Sequence, residues 1–420
     1  MRIFKFGGAS VSTLERIHQV AAILQKEQDR ELLVVVSAMG KTTNALEKVA
    51  EQFYAGRQEE ALGLFHQVKE QHLQTAKYLL VKEYLACEQA LINFFTEVEW
   101  LLHDKPQRDY DYYYDQIVCV GELLSTAIVS AYLKESGIDN SWIDVRDVFR
   151  TDERFRDAGL DWNFTQLQVN QLLKPLFGKT KLVVTQGFIG ATDENESTTL
   201  GREGSDYTAA IFANLLDASY LTIWKDVEGV MNADPKKYKA AQLITSLNYT
   251  EVIEMAYYGA QVIHPKTIKP LQNKNIPLYV KCFLDPDLPG TEIHNQPIPP
   301  LPPIIVFKDN QVLLQLTSKD FSFVGDHAVA ELYRLFGELA FHPNLSQNGA
   351  ISFTCCLDDR PEKIEQLAIA ATEFFDVSVE RGLRLLTIRH YVKEVLEELI
   401  GQQQVVLQQQ TPETIQVVLK

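Results

Sequence analysis

The stretch Arg2-Ile-Phe-Lys-Phe-Gly-Gly-Ala-Ser10 decides the fold. Arg2 to Phe6 alternate as a short strand, Gly7 and Gly8 break it, and Ser10 to Ser12 offer helix caps. Leu14, Ile17, Val20, Ala21 and Leu24 then recur at helical spacing. Leu32 to Val36 follow as an unbroken apolar run, stopped by Ser37-Ala-Met-Gly40. A strand without polar alternation is buried on both faces. Strand, glycine loop, helix and buried strand in this order predict a parallel pair inside a central sheet.

The same rhythm continues outward. From Thr43 to His103 the chain is rich in Leu, Ala, Glu, Gln and Lys and lacks proline, which predicts several helices beside the sheet. Tyr110, Tyr112, Tyr113 and Tyr114 sit among Asp104, Asp109, Asp111 and Asp115, so loop packing is expected there rather than base stacking. A helix follows Gly121, and strands are expected at 141–145, 181–186, 220–224 and 276–282. Residues 1–295 therefore form one large α/β domain. Residues 296–303 carry a run of prolines, which fix φ and cannot donate to a ladder, so they form a stiff linker. Residues 304–420 change to short strands and helices, which predicts two β-α-β-type modules in succession. The Gln-rich stretch 402–410 contains Val405, Val406 and Leu407 and is expected to be a strand.

Composition limits the function. A chain of 420 residues holds two to four domains at roughly 100–200 residues each. Hydrophobic residues at 46% and charged residues at 23% fit a globular protein rather than a disordered one. The balance of 40 basic against 56 acidic residues, −16 net, disfavours nucleic acid and anionic membranes as partners. Five cysteines without C-x-x-C spacing point to reduced thiols, a cytoplasmic location and no metal site. No signal segment and no membrane span are expected.

Five motifs carry chemistry. Lys5-Phe-Gly-Gly lets backbone N–H groups approach an anion while Lys5 adds a cation. Ser37-Ala-Met-Gly-Lys-Thr-Thr-Asn44 is half of a Walker loop, with Val35 at the place of its first glycine, so a P-loop NTPase is disfavoured. Thr42 and Thr43 can cap a helix or bind a carboxylate. Glu122 opens an otherwise apolar helix and is suited to an ammonium group. In Thr198-Thr-Leu-Gly-Arg-Glu-Gly-Ser-Asp206, Arg202 can grip a carboxylate or phosphate, and Asp206 can orient Lys5 or help hold Mg²⁺. Trp224-Lys-Asp-Val-Glu-Gly-Val-Met-Asn-Ala-Asp-Pro-Lys236 suits a loop closing over a nucleotide.

Together with Gly259-Ala-Gln-Val-Ile-His-Pro-Lys266, these ordered motifs resemble aspartokinases of the amino-acid kinase superfamily across residues 1–295. The C-terminal part more weakly resembles a tandem pair of ACT regulatory units. The resemblance implies an αβα sandwich around a mainly parallel sheet, followed by α+β ferredoxin-like ACT units. It implies phosphoryl transfer from ATP with Mg²⁺ to the side-chain carboxylate of L-aspartate, toward lysine, threonine and methionine. It further implies association as a homo-oligomer, a dimer through the ACT units, and an amino-acid effector there.

Carried over by position, Lys5 and Asp206 match the catalytic pair. Thr43, Glu122, Arg202 and Ser205 match the substrate site. Lys5, Gly7, Gly8, Lys225, Asp226, Met231, Lys236, Gln261 and Val262 match the nucleotide site. The chain departs from the family pattern at Ala9 (usually Thr), Glu203 (usually Gly) and Gln261 (often Lys). Glu203 places a carboxylate beside Arg202, and Lys225 or Lys266 could replace the missing nucleotide cation. His264 is expected to be a packed turn residue. The competing readings are an amino-acid kinase for another substrate (glutamate, acetylglutamate, carbamate or UMP) and a catalytically weak amino-acid sensor.

Overall fold

Strands β1 (Arg2–Phe6) and β2 (Leu32–Val36) are buried along their whole length. They pair in parallel, Phe4 opposite Val34, with helix α1 (Leu14–Gln25) between them in sequence. The computed structural model describes residues 1–260, 263–320 and 323–420. Thr13 caps α1 by accepting the Arg16 N–H, whereas Ser10 lies in a single 3-10 turn, Gly8–Val11.

The chain continues through α2 (Thr42–Tyr54), α3 (Gln58–Leu79), α4 (Tyr84–His103), α5 (Tyr110–Val118) and α6 (Val120–Glu135). Then come β3 (Ser141–Trp142), α7 (Trp162–Gln168), β4 (Leu182–Gln186), β5 (Ile189–Ala191), β6 (Ser197–Thr199), α8 (Gly204–Leu215) and β7 (Leu221–Lys225). Strands β8 (Val230–Met231), β9 (Leu243–Ile244) and β10 (Ser246–Asn248) precede α9 (Tyr249–Tyr258) and α10 (Pro265–Lys274), followed by β11 (Leu278–Cys282) and β12 (Thr291–His294).

An eight-stranded sheet runs β10-β12-β11-β7-β1-β2-β4-β3. Its pairs are parallel except β11 with β12. On one face Phe4, Phe6, Val34 and Val36 join Leu46, Phe53, Phe65, Phe95 and Ile128 of the helices in one apolar core. The helical excursion thus closes the sheet against water.

The four tyrosines near 112 lie on a helix, α5, and not in a loop. Tyr113 packs edge-on against Phe53 at 5.2 Å. Aspartates at 109 and 111 start that helix, where acidic residues favour helix rather than loop. The helical stretch Tyr110–Glu135 is long and apolar enough to cross a membrane by composition, but 83% of its apolar window is buried inside the protein. Beneath the tyrosines, buried Asp115 accepts the N–H of Thr199 at 2.8 Å, its hydroxyl at 2.7 Å and the N–H of Arg156 at 2.9 Å. That carboxylate ties β6 and the 156 loop to α5.

Two compact units emerge. The first comprises Met1–Val230, Leu243–Ile253 and Ile263–Ile298. The second comprises Met231–Gln242, 254–260 among the described residues, and Pro299–Lys420. Two short segments from within 1–295 thus join the C-terminal residues. Ala233, Tyr238 and Ala241 pack with Ile305, Phe307 and Leu386, and Asn232 donates to the Pro303 carbonyl at 2.8 Å.

The second unit contains β13 (Ile304–Ser318), α11 (Asp326–Glu338), β14 (Leu345–Asn348), β15 (Ser352–Asp358), α12 (Pro361–Ala371), β16 (Phe375–Arg389), α13 (Lys393–Ile400), β17 (Val405–Gln410) and β18 (Thr414–Leu419). Its six-stranded sheet runs β14-β15-β13-β16-β18-β17. The modules expected in succession are interleaved instead. The start of β13 pairs with the end of β16, which pairs with β18. The end of β13 pairs with β15 and with the start of β16. Polar residues at 308–311 look like a break in sequence, yet they form a bulge in one continuous strand, with Asn310 at φ 55°. Gly382, at φ 75°, plays the same part in β16.

Asp115→Ala would leave three donors without this acceptor, the two of Thr199 buried, at about 1–3 kcal/mol for each buried loss. The expected outcome is a drop of several degrees in the thermal midpoint of the first unit, read by calorimetry.

Candidate active site

The end of β1 carries Lys5 to the floor of a cavity of about 370 Å³ in the first unit. Its ammonium lies 2.6 Å from Oδ1 of Asp206, and both side chains are almost wholly buried. Asp206 sits in the first turn of α8, where the helix dipole favours a negative charge. Burial pushes its carboxyl up, but Lys5 and then Lys225 outweigh that and hold it below the ordinary range. A buried pair of this kind is costly to break, roughly 3–5 kcal/mol when one partner is removed.

The two loops flanking Lys5 are stitched together. Gly40 N–H donates to the Gly8 carbonyl at 3.0 Å. A Cβ on Gly8 would lie 2.6 Å from the Ala38 carbonyl oxygen, so only glycine fits. Gly7 faces the ammonium directly, because a Cβ there would sit 3.4 Å from Lys5 Nζ.

Glu122 is fully enclosed in the first turn of α6. Oε1 accepts the Ala38 N–H at 3.2 Å, while Oε2 is buried without a hydrogen-bond partner among the described residues. Burial pushes its carboxyl up to about 8, against the pull of the Ala38 N–H and the Lys5 charge. A carboxylate oxygen lining a cavity without a donor is suited to a cation from outside. Thr43 and Ser205 also line the cavity. Neither Thr42 nor Thr43 caps α2; the Thr42 hydroxyl donates to the Met39 carbonyl at 2.7 Å.

Arg202 lines the wall on the loop before α8 and is exposed. Glu203 lines the same cavity. One carboxylate oxygen of Glu203 accepts the His264 N–H at 3.0 Å, and the residue holds φ 54° at the N-cap of α8. His264 is more than a packed turn residue: its Nδ1 accepts the Lys266 N–H and caps α10. Lys266 pairs with Asp157 and donates to the Leu200 carbonyl, so its ammonium is engaged there.

The cavity therefore gathers Lys5, Thr43, Glu122, Arg202, Ser205 and Asp206. Lys225 closes β7, close enough to lower Asp206, and Asp226 follows it. Met231 and Lys236 belong to the second unit. Gln261 and Val262 lie outside the described residues. Sequence reasoning missed Ser37, Tyr114, Arg156, Phe188 and Thr199, which also line the cavity. Tyr114 stood in the aromatic cluster, but nothing local marks Arg156 or Phe188, which hold positive φ values. Among the described residues no group of three or more His, Cys, Asp or Glu could hold a metal ion.

The sequence profile of the amino acid kinase family matches residues 1–282. The chain is 34% identical to lysine-sensitive aspartokinase 3 of Escherichia coli K12 over 92% of its own length and 86% of that protein. The chain belongs to the amino acid kinase family, in its aspartokinase branch. It is also 35% identical to a bifunctional aspartokinase/homoserine dehydrogenase of Zea mays over 70% of this chain, which is 32% of that longer protein. The crystal structure of E. coli aspartokinase III with aspartate and ADP superposes with a TM-score of 0.81 at 28% identity, covering 100% of this chain and 96% of that one. The likeness of this aspartokinase-branch chain to that structure extends over its whole length.

Glu122 sets a pH signature. Its folded value, about 8, lies above the unfolded value near 4.5. The native state therefore holds a proton that the unfolded state gives up, and stability is lost as pH rises between those values. Glu122→Gln is expected to melt above the parent at pH 8.5 and to lose that advantage at pH 5, with a gain on the order of a few kcal/mol. Melting curves across pH check this.

Proposed function

We propose that this chain transfers the γ-phosphoryl group of ATP to the side-chain carboxylate of L-aspartate, giving 4-phospho-L-aspartate. One observation carries the reading. A single cavity joins the unpartnered Glu122 Oε2, the Arg202 guanidinium and the buried Lys5–Asp206 pair. These are receptors for an ammonium, a carboxylate and a phosphoryl group. The names of the E. coli and maize relatives support the same substrate.

The attacking carboxylate is ionised near pH 7, so no strong general base is needed. Catalysis rests on alignment and charge neutralisation. Glu122 takes the substrate ammonium and Arg202 its α-carboxylate. Thr43 and Ser205 position the remaining polar atoms. Lys5, held straight by Asp206, meets charge developing on the transferring group, while Gly7 and Gly8 let the backbone approach the phosphates. Lys225 and Asp226, in the first unit, contact the nucleotide. Mg²⁺ bound with ATP would neutralise phosphate charge, and Asp206 is the carboxylate beside Lys5 that would help hold it.

Residues 304–420 are the ACT-like region, which takes an amino-acid effector and pairs two copies of the chain. The lysine sensitivity in the name of the E. coli relative supports an effector of that class. The five cysteines are buried free thiols, as suits a reducing cytoplasm.

Aspartate-dependent ATP turnover with Mg²⁺ tests the reading, repeated with lysine, threonine and methionine added. Amino-acid binding without turnover would favour a sensor. Lys5→Ala should lower kcat at least about tenfold, roughly 1.4 kcal/mol, in a protein confirmed as folded by circular dichroism. Because burial raises the Glu122 carboxyl to about 8, aspartate binding at pH 7 should release most of a proton. Calorimetry in two buffers of different ionisation enthalpy reads that release, which Glu122→Gln should abolish.

A further inference from the structure

Arg156 lines the cavity but belongs to none of the motifs that carry the chemistry. It sits at φ 68°, a conformation costly for a side chain that could be glycine. Its N–H is fixed by Asp115 at 2.9 Å. Its guanidinium lies 4.5 Å from the ring centre of Tyr114, and Nη1 is 3.0 Å from Asp111. Tyr114 is itself held by donating to Glu47 at 2.7 Å. Backbone, ring face and acid thus hold the head group on one rail of α5. One nitrogen serves Asp111, and the planar fork keeps further N–H groups for a ligand.

The loop carrying Arg156 lies against the loop carrying Arg202. Ala158 N–H donates to the Thr199 carbonyl at 3.0 Å. A Cβ on Gly201 would sit 3.2 Å from the Arg156 carbonyl oxygen. Both arginines therefore line one cavity from adjoining loops. We propose that Arg156 is a second specificity-determining residue, which clamps the non-reacting α-carboxylate of the amino-acid substrate together with Arg202. The proposal rests on the aspartate reading above and adds a residue to it. A clamp of two planar cations recognises a carboxylate far better than its neutral amide, since each can donate two parallel hydrogen bonds to the anion.

Steady-state kinetics of the full chain test it, with aspartate and with its α-carboxamide analogue as substrates. Arg156→Gly accepts the positive φ without strain, so the backbone is preserved. It should raise KM for aspartate about tenfold or more while kcat changes less than about threefold, the mark of lost uniform binding. KM for ATP should stay constant, and the preference for aspartate over the α-amide should shrink by a similar factor. Arg156→Lys should restore part of the affinity. An unchanged KM for aspartate, or an unchanged preference over the amide, overturns the clamp while leaving the kinase reading intact. Absence of aspartate turnover in the parent chain overturns the kinase reading, and the clamp falls with it.

Discussion

The ion pair between Lys5 and Asp206 constrains much of the first unit. A cation and an anion almost free of water are tolerable only when each holds the other at contact distance. One comes from the first residues of the chain and the other from a helix about two hundred residues later. The parallel sheet sets the end of β1 beside the end of β7, with Phe6 opposite Trp224. Helix α8 must then begin where its first turn reaches the ammonium. The glycines around the pair answer to the same constraint. Gly8 admits the Ala38 carbonyl, and Gly187 admits Ser205, whose Cα would lie 2.7 Å from a Cβ there.

Around that pair the site uses two opposite electrostatic devices. Asp206 is buried and kept charged by its neighbours, whereas Glu122 is buried and pushed toward neutrality. The difference is the number of cations in reach. Asp206 has two lysines close by, and Glu122 has the Ala38 N–H and a more distant Lys5. The first carboxylate is held in its charged form by its partners, and the second is held toward its neutral form by burial.

Much of this was legible in the sequence. A lysine near a strand end, an acid opening an apolar helix, and an arginine between glycines are local signals, and the structure draws them into one cavity. Three things were not legible. Arg156 and Phe188 line the cavity and hold positive φ values, which no side-chain pattern announces. The destination of Glu203 depended on a backbone N–H sixty residues away. The second unit was misread because bulges at 308–311 and near Gly382 look like the ends of strands. Their continuity is set by pairing partners far along the chain.

That interleaving has a consequence for synthesis. Residues 304–308 leave the ribosome early, but their partners at 385–389 come only after an entire module has been made. Strand β16 in turn needs β18, near the last residue described. Those first residues of the second unit must wait as an unpaired apolar strand while translation proceeds at about 5–20 residues per second. For several seconds the nascent chain thus carries a half-finished edge, and the proline run just before it, which cannot donate to a ladder, limits how far a wrong partner can pair along it.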